Sequence, residues 1–330
     1  MNRLITLTAV AALGLPLAAC GSSGSSSSTP STRSALRIAF LAAGVDATYT
    51  PAQVSGLEQG SGGKVTTFNP QFDPATQLSQ CQDAISQQRY DAIVITPLNN
   101  SSALPCAKAA HAAKMPLIVD GTAIGKDSNS LQPQADGVDF SMIWVPSTFA
   151  KDTWAIVQSA CAGKSECQIV MERSFAGDPL FDAVIDYVKQ QSAGLNIKVV
   201  ATYESHYDPS ETTAKLQDIL VAHPDVNVVT FTNDPTALAG AEVISKLGRA
   251  GKVMAVGSGG TRTGVAAVLS GKLLATIANL PLTASKIEGQ MAVKAKNGEK
   301  IDPVGMDAFA LGDVSGAITK DNAGKFTPEW

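Results

Sequence analysis

From residue 35 onward the chain alternates short apolar, β-rich runs with amphipathic helical patterns almost without interruption, and that alternation constrains the fold more than any other feature. A strand that is apolar at successive positions must be covered on both faces, and two parallel strands need a crossover between them, usually a helix. The pattern predicts strands over 36–41, 64–68, 91–96, 115–119, 168–171, 197–202, 226–230 and 252–256. Helices are predicted over 101–113, from after Ser147 to Ala160, over 179–193 and over 235–247. Two more start at Asp73-Pro74 and Asp208-Pro209, where aspartate supplies the cap and proline the first turn. Because the rhythm restarts after Ser147, the expected class is α/β, with two doubly wound parallel-sheet lobes in series. No short-period repeat occurs, which argues against a solenoid.

The segment before residue 35 has a different character. Asn2 and Arg3 precede an apolar run from Leu4 to Leu17, which is too short to span about 30 Å of hydrocarbon as a mature helix. Small residues close the run at Ala18 and Ala19, so a secretory signal peptide is expected over 1–19, the alternative being an uncleaved signal anchor. Cys20 directly after the cut resembles the cysteine of bacterial lipoproteins that carries lipid and becomes the first mature residue. Residues 20–34 are serine- and glycine-rich, with nothing apolar to offset the entropy of ordering them, and read as a flexible tether. The expected location is therefore outside the cytoplasmic membrane, anchored by lipid.

Composition excludes more than it selects. A formal net charge of −4 with no Lys/Arg cluster offers no stripe for nucleic acid. If Cys20 carries lipid, four of the five cysteines remain, Cys81, Cys106, Cys161 and Cys167, an even number for an oxidising compartment. Four cysteines allow three pairings, of which local geometry favours Cys161 with Cys167 and Cys81 with Cys106. Zinc is the rival reading, but no Cys-x-x-Cys spacing occurs and the histidines lie apart, so no metal is expected.

In open α/β sheets, ligands bind beyond the carboxyl ends of the strands. Those ends carry Tyr49, Asn69, Asn99, Asn100 and Asp120 in the first half of the chain. The second half places Arg173 to Asp178, Tyr207, Asn233, Asp234, Ser258 and Asn279 there. Amides and carboxylates suit hydroxyl groups, and an aromatic face suits the CH surface of a polyhydroxylated molecule. Asp73, Asp208 and Asp234 each precede a proline and read as helix caps instead. Asn69, Asn99 and Asn100 read equally well as turn formers. Asp120 and Asn279 end apolar strands without such a proline, so capping explains them less well.

Six segments in order carry a family resemblance: Asp73-Pro74-Ala75-Thr76-Gln77, Asp91 to Pro97, Met115 to Asp120, His223-Pro224-Asp225-Val226, Asn233-Asp234-Pro235-Thr236-Ala237-Leu238, and Gly271 to Pro281. Together they resemble the type I periplasmic binding proteins akin to ribose-binding protein. The resemblance implies a monomer that captures a solute between hinged lobes and delivers it to the permease of an ABC importer, with no cofactor. It implies three crossings between lobes, near Trp144, Leu280 and Phe309. One lobe would comprise 35–143 and 281–309, the other 144–280 and 310–330. Asp120, Asn233 and Asn279 match ligand-bonding positions of sugar binders, Asn279 standing for the usual glutamine, and Tyr49 and Tyr207 match stacking aromatics.

The chain departs from that pattern in ways that bear on the ligand. Gly121 stands where sugar binders commonly have arginine, Gly259 replaces a hydroxyl-binding aspartate, and Asp182 or a neighbour replaces a second arginine. The helix after the first strand reads as short. Each charged hydrogen bond lost costs about 1.5 to 3 kcal/mol, so ordinary ribose is not the expected ligand. Trp144 and Phe175 facing the cleft would favour a polyol or a deoxy compound. The expected ligand set is thus Tyr49, Asp120, Trp144, Phe175, Asp178, Tyr207, Asn233, Ser258 and Asn279.

Catalysis lacks its partners. Gly257-Ser258-Gly259-Gly260 is followed by Arg262 where a dinucleotide fingerprint needs glycine, and Val256 stands where a nucleophile elbow needs one. His111 and His223 fall at ordinary structural places, and His206 beside Tyr207 is a possible ligand contact. The alternatives to an importer subunit are a sensor whose closure is read by a membrane receptor or kinase, and a lipid-anchored enzyme. The secretion signal and the lack of a DNA-binding helix pair set a repressor aside.

Overall fold

The computed structural model describes residues 35–330. The expected signal peptide, Cys20 and the tether lie outside the described residues.

The first lobe opens with β1 (Arg37–Leu41), α1 (Tyr49–Ser61), β2 (Lys64–Phe68), α2 (Pro74–Ser86), β3 (Ala92–Ile95), α3 (Leu104–Ala113), β4 (Leu117–Gly121) and β5 (Phe140–Ile143). The chain then passes to the second lobe through α4 (Pro146–Cys161), β6 (Cys167–Arg173), α5 (Pro179–Ser192), β7 (Ile197–Glu204), α6 (Pro209–Ala222), β8 (Val226–Thr230), α7 (Asp234–Lys246), β9 (Met254–Gly259), α8 (Arg262–Ser270) and β10 (Ala275–Ala278). It returns with α9 (Pro281–Lys296) and β11 (Gly305–Asp307), and crosses once more to β12 (Ala317–Thr319). The two sheets have equivalent orders, β11-β5-β4-β3-β1-β2 and β12-β10-β9-β8-β6-β7. Every pairing is parallel except β12 against β10, an antiparallel edge.

The core lies on both faces of each sheet, as expected for strands without polar alternation. Ile38 and Phe40 face one cluster of the first lobe and Ala39 and Leu41 the other. Cys81–Cys106 joins α2 to α3, and Cys161–Cys167 joins the end of α4 to the start of β6, with Cα separations of 5.9 and 5.6 Å. Asp73 and Asp208 cap α2 and α6, accepting from the backbone N–H groups of Thr76 and Ser210.

One element departs from expectation. The helix after β1 is not short: α1 runs for 13 residues. Its buried face is made of Thr50, Ala52, Gln53, Gly56 and Leu57, so little apolar periodicity marks it in the sequence. Small residues serve instead to bring α1 against α9. A Cβ at Gly56 would stand 2.4 Å from the Leu282 carbonyl oxygen, and one at Gly60 1.9 Å from that of Lys286.

Three buried polar side chains fix the strand ends that face the cleft. Gln77 on α2 donates from Nε2 to the carbonyls of Ala42 (2.9 Å) and Thr96 (2.8 Å), pinning the exits of β1 and β3. Glu172 on β6 accepts from the Thr232 N–H (2.7 Å), the Thr232 hydroxyl (2.9 Å) and the Thr236 hydroxyl (2.7 Å). Asp234, expected to cap α7, instead accepts from the Thr261 N–H (2.7 Å) and hydroxyl (2.8 Å) and the Thr276 hydroxyl (2.6 Å). The cap is Asn233, whose extended backbone precedes the helix and whose Oδ1 accepts from the Thr236 N–H at 2.8 Å. Burial pushes the Asp234 carboxyl up to about 6, against the pull of those hydrogen bonds.

Candidate ligand-binding cleft

The carboxyl ends of both sheets open onto one cavity of about 540 Å³. Tyr49 at the start of α1 reaches it from the first lobe, and Trp144 after β5 and Asn279 after β10 stand at crossings. Phe175, Asp178, Tyr207, Asn233 and Ser258 reach it from the second lobe. These side chains, far apart in the sequence, converge because each follows or begins an element at the same end of its sheet.

Asp120 is the exception among the expected set. It sits within β4, between β3 and β5, is 2% exposed and does not line the cavity. Its Oδ2 accepts from Gln53 Nε2 (2.8 Å) and the Thr96 hydroxyl (2.7 Å), and these two side chains do line the cavity. Asp120 therefore stands one layer behind the wall and orients it. Burial pushes its carboxyl up to about 6. Glu288 on α9 is fully buried, and neither of its carboxyl oxygens has a hydrogen-bond partner. Burial first and the Asp120 charge second raise its pKa.

Two other expected residues have most of their bonding capacity engaged within the protein. Asp178 caps α5, accepting at Oδ1 from the Leu180 N–H (2.9 Å) and at Oδ2 from the hydroxyls of Ser174 and Tyr207, the latter at 3.3 Å. It thereby holds the Tyr207 ring in place. Asn233 spends Oδ1 on its cap, leaving Nδ2 as its free donor. Ser258 and Asn279 keep more of their capacity, the only partner of the Asn279 side chain among the described residues being the Tyr49 hydroxyl at 3.5 Å. His206 lines the cleft, but its Nδ1 faces Glu211 at 3.1 Å.

The walls are aromatic. Phe72, in the loop between β2 and α2, meets Phe175 and Tyr207 of the second lobe with ring centroids 6.0 and 6.1 Å apart. Trp144 lies over Gly121, where a Cβ would stand 2.9 Å from the indole. Trp330 lies over Gly259 in the same way, at 2.6 Å, and packs edge-on against Tyr49 at 4.9 Å. Both glycines have positive φ, +75° and +127°, so the backbone and the indole each disfavour a side chain there. Gln53, Thr96, Phe72 and Trp330 are among the cleft residues that the sequence reading missed. Of these four only Phe72 carried a signal, an aromatic directly before the Asp73-Pro74 cap.

The carboxylate and imidazole side chains lining the cavity, among the described residues, are Asp46, Asp178, His206 and Asp208. No lysine or arginine among the described residues lines it, so an anionic ligand would meet repulsion without a counter-charge. No group of three or more metal-ligating side chains occurs among the described residues.

Residues 55–300 match the family model described as periplasmic binding protein domain. The chain belongs to the periplasmic binding protein family. Its curated relatives include the ribose import binding protein RbsB of Salmonella typhimurium, 28% identical over 240 residues, which cover 73% of this chain and 77% of the relative. The xylitol-binding protein of Mycolicibacterium smegmatis is 24% identical over 333 residues, covering 97% and 86%. Among solved structures, an ABC transporter solute binding protein from Mycobacterium smegmatis with bound glycerol superposes with a TM-score of 0.74 at 23% identity, covering 88% of this chain and 96% of that one. A solute binding protein from Agrobacterium vitis with bound D-fucose gives 0.75 at 21% identity, covering 88% and 97%. The two six-stranded sheets of this binding protein are the fold these structures share. The family comprises substrate-binding proteins of transporters, not enzymes.

Proposed function

We propose that the protein is the extracytoplasmic solute-binding subunit of an ABC importer and that it captures a small neutral sugar or polyol in the interlobe cleft. The observation that carries the reading is the pairing of uncharged polar groups, Asn233, Ser258, Asn279 and Tyr49, with aromatic walls in a cavity without lysine or arginine. Relatives named for ribose and xylitol, and similar folds solved with glycerol and D-fucose, support that ligand class. Residues 35–143 with 281–309, and 144–280 with 310–330, are the two bodies that close on the solute. A signal peptide over 1–19, lipid on Cys20 and the tether over 20–34 would keep them near the permease.

The glycines at 121 and 259, each backed by an indole, favour a polyol or deoxy compound over an ordinary aldopentose. A thermal-melt screen of sugars and polyols tests the reading. Ligand at a thousand times its Kd stabilises the bound form by about 4 kcal/mol, a plainly visible shift. A broad panel without any shift would overturn the proposal, and sub-micromolar binding of D-ribose by calorimetry would overturn the preference.

A further inference from the structure

We infer that Trp330 is a specificity-determining residue of this cleft, which it enters on a strap that ties the two lobes together, and that it selects neutral hydroxylated ligands having one apolar flank. The inference rests on the proposed function and narrows its ligand class. Residues 326–330 run from one lobe to the other. Phe326 is buried in the core of the second lobe. Glu329 then accepts from the N–H of Thr283 at 3.0 Å and from its hydroxyl, both in the first turn of α9, which packs on the first lobe. Trp330 turns back, its main-chain oxygen accepting from the Arg262 N–H at 3.0 Å and its indole Nε1 donating to the Gly259 carbonyl at 2.9 Å.

That last bond decides what the indole offers. An indole has one donor and no acceptor. With the donor spent on Gly259, Trp330 presents the cavity with ring surface alone. The ring occupies the space into which any side chain at 259 would project, so the wall there cannot hydrogen-bond a hydroxyl through residue 259. The Trp144 ring likewise fills the space over Gly121, and Tyr49 packs against both indoles, 4.9 Å from Trp330 and 6.3 Å from Trp144. The free polar groups are Asn233 Nδ2, Ser258 and Asn279, the last beside the Tyr49 hydroxyl at 3.5 Å. A solute hydroxylated all round would leave hydroxyls unpaired against the indoles, each losing the hydrogen bonds it makes in water. One with a methyl, deoxy or bare CH edge would bury that edge there.

Two measurements test this. Calorimetry with xylitol, D-fucose, D-ribose and D-allose on the full chain and on Trp330→Ala should show the native protein favouring D-fucose, whose methyl group supplies the apolar edge. The variant should narrow that preference at least tenfold, and Trp330→Phe should retain most of it. An unchanged preference in a Trp330→Ala protein with a cooperative melt overturns the inference while leaving the proposed function standing; no binding of any of the four by the native protein overturns both. Independently of ligand, 19F NMR of 5-fluorotryptophan-labelled protein, with the Trp330 resonance assigned by its loss in Trp330→Phe, should show that resonance shielded from an H2O-to-D2O isotope shift. A shift equal to that of free fluorotryptophan would overturn the placement of the ring.

Discussion

At Asn233 one carboxamide faces two ways: its oxygen closes the first turn of α7, and its nitrogen points toward the cleft. The two roles separate by substitution. Asn233→Asp keeps an acceptor for the Thr236 N–H and adds a charge that suits a helix N-terminus, so stability should stay within about 0.5 kcal/mol. It removes the only donor, so affinity for the solute should fall about tenfold or more. Asn233→Ala should lose affinity similarly and a further ~1 kcal/mol of stability. Paired melts and calorimetry check both, and an Asp variant that binds normally would remove Asn233 from the ligand set. Asp120 shows why strand-end position alone is an incomplete guide. Its side chain is covered by those of Gln53 and Thr96, so its carboxylate acts through them.

At the scale of elements, the legible parts were those whose physics leaves a local trace. Buried parallel strands are continuous apolar runs, and Asp-Pro announces a helix start, so the strand rhythm and the starts of α2 and α6 could be read directly. The length of α1 could not, because its contact with α9 is made by glycines rather than by an apolar stripe. Trp330 left no trace because it follows no strand; only the folded chain brings it to Gly259. The link between α2 and α3 carries a prediction of its own. Cys81 and Cys106 close a loop with a sequence separation of 25, so replacing both by serine should cost about 3 kcal/mol, and the shorter Cys161–Cys167 loop, with a separation of 6, about 2. Denaturant titration of the two double variants checks the order.

For the whole molecule, buried carboxyls set the response to pH. Asp120 and Asp234 are pushed up to about 6 and Glu288 moves in the same direction, whereas an unfolded carboxyl titrates near about 4. Between those values the folded chain holds protons that the unfolded chain has released, so Asp120 and Asp234 make stability fall as pH rises from about 4 to about 6, and Glu288 adds to the decline in the same direction. Asp91 works oppositely in a lower window, since the hydrogen bond from Arg37 holds it down to about 2 and its contribution disappears as pH falls from about 4 to about 2. Stability should therefore peak near pH 4 to 5, and Glu288→Gln should flatten the decline above it. Urea melts across that range check this; a steady rise in stability from pH 4 to 7 would contradict the assignment.

The second crossing has a consequence for how the chain is made. Ser141 of β5 finds its partner in Gly305 of β11, and everything that builds the other sheet up to β10 lies between them. As the polypeptide emerges from the ribosome, the outer edge of β5 stays bare until nearly all of it has been synthesised. A product terminated shortly before Gly305 would carry an unpaired strand edge, an invitation to join a second molecule.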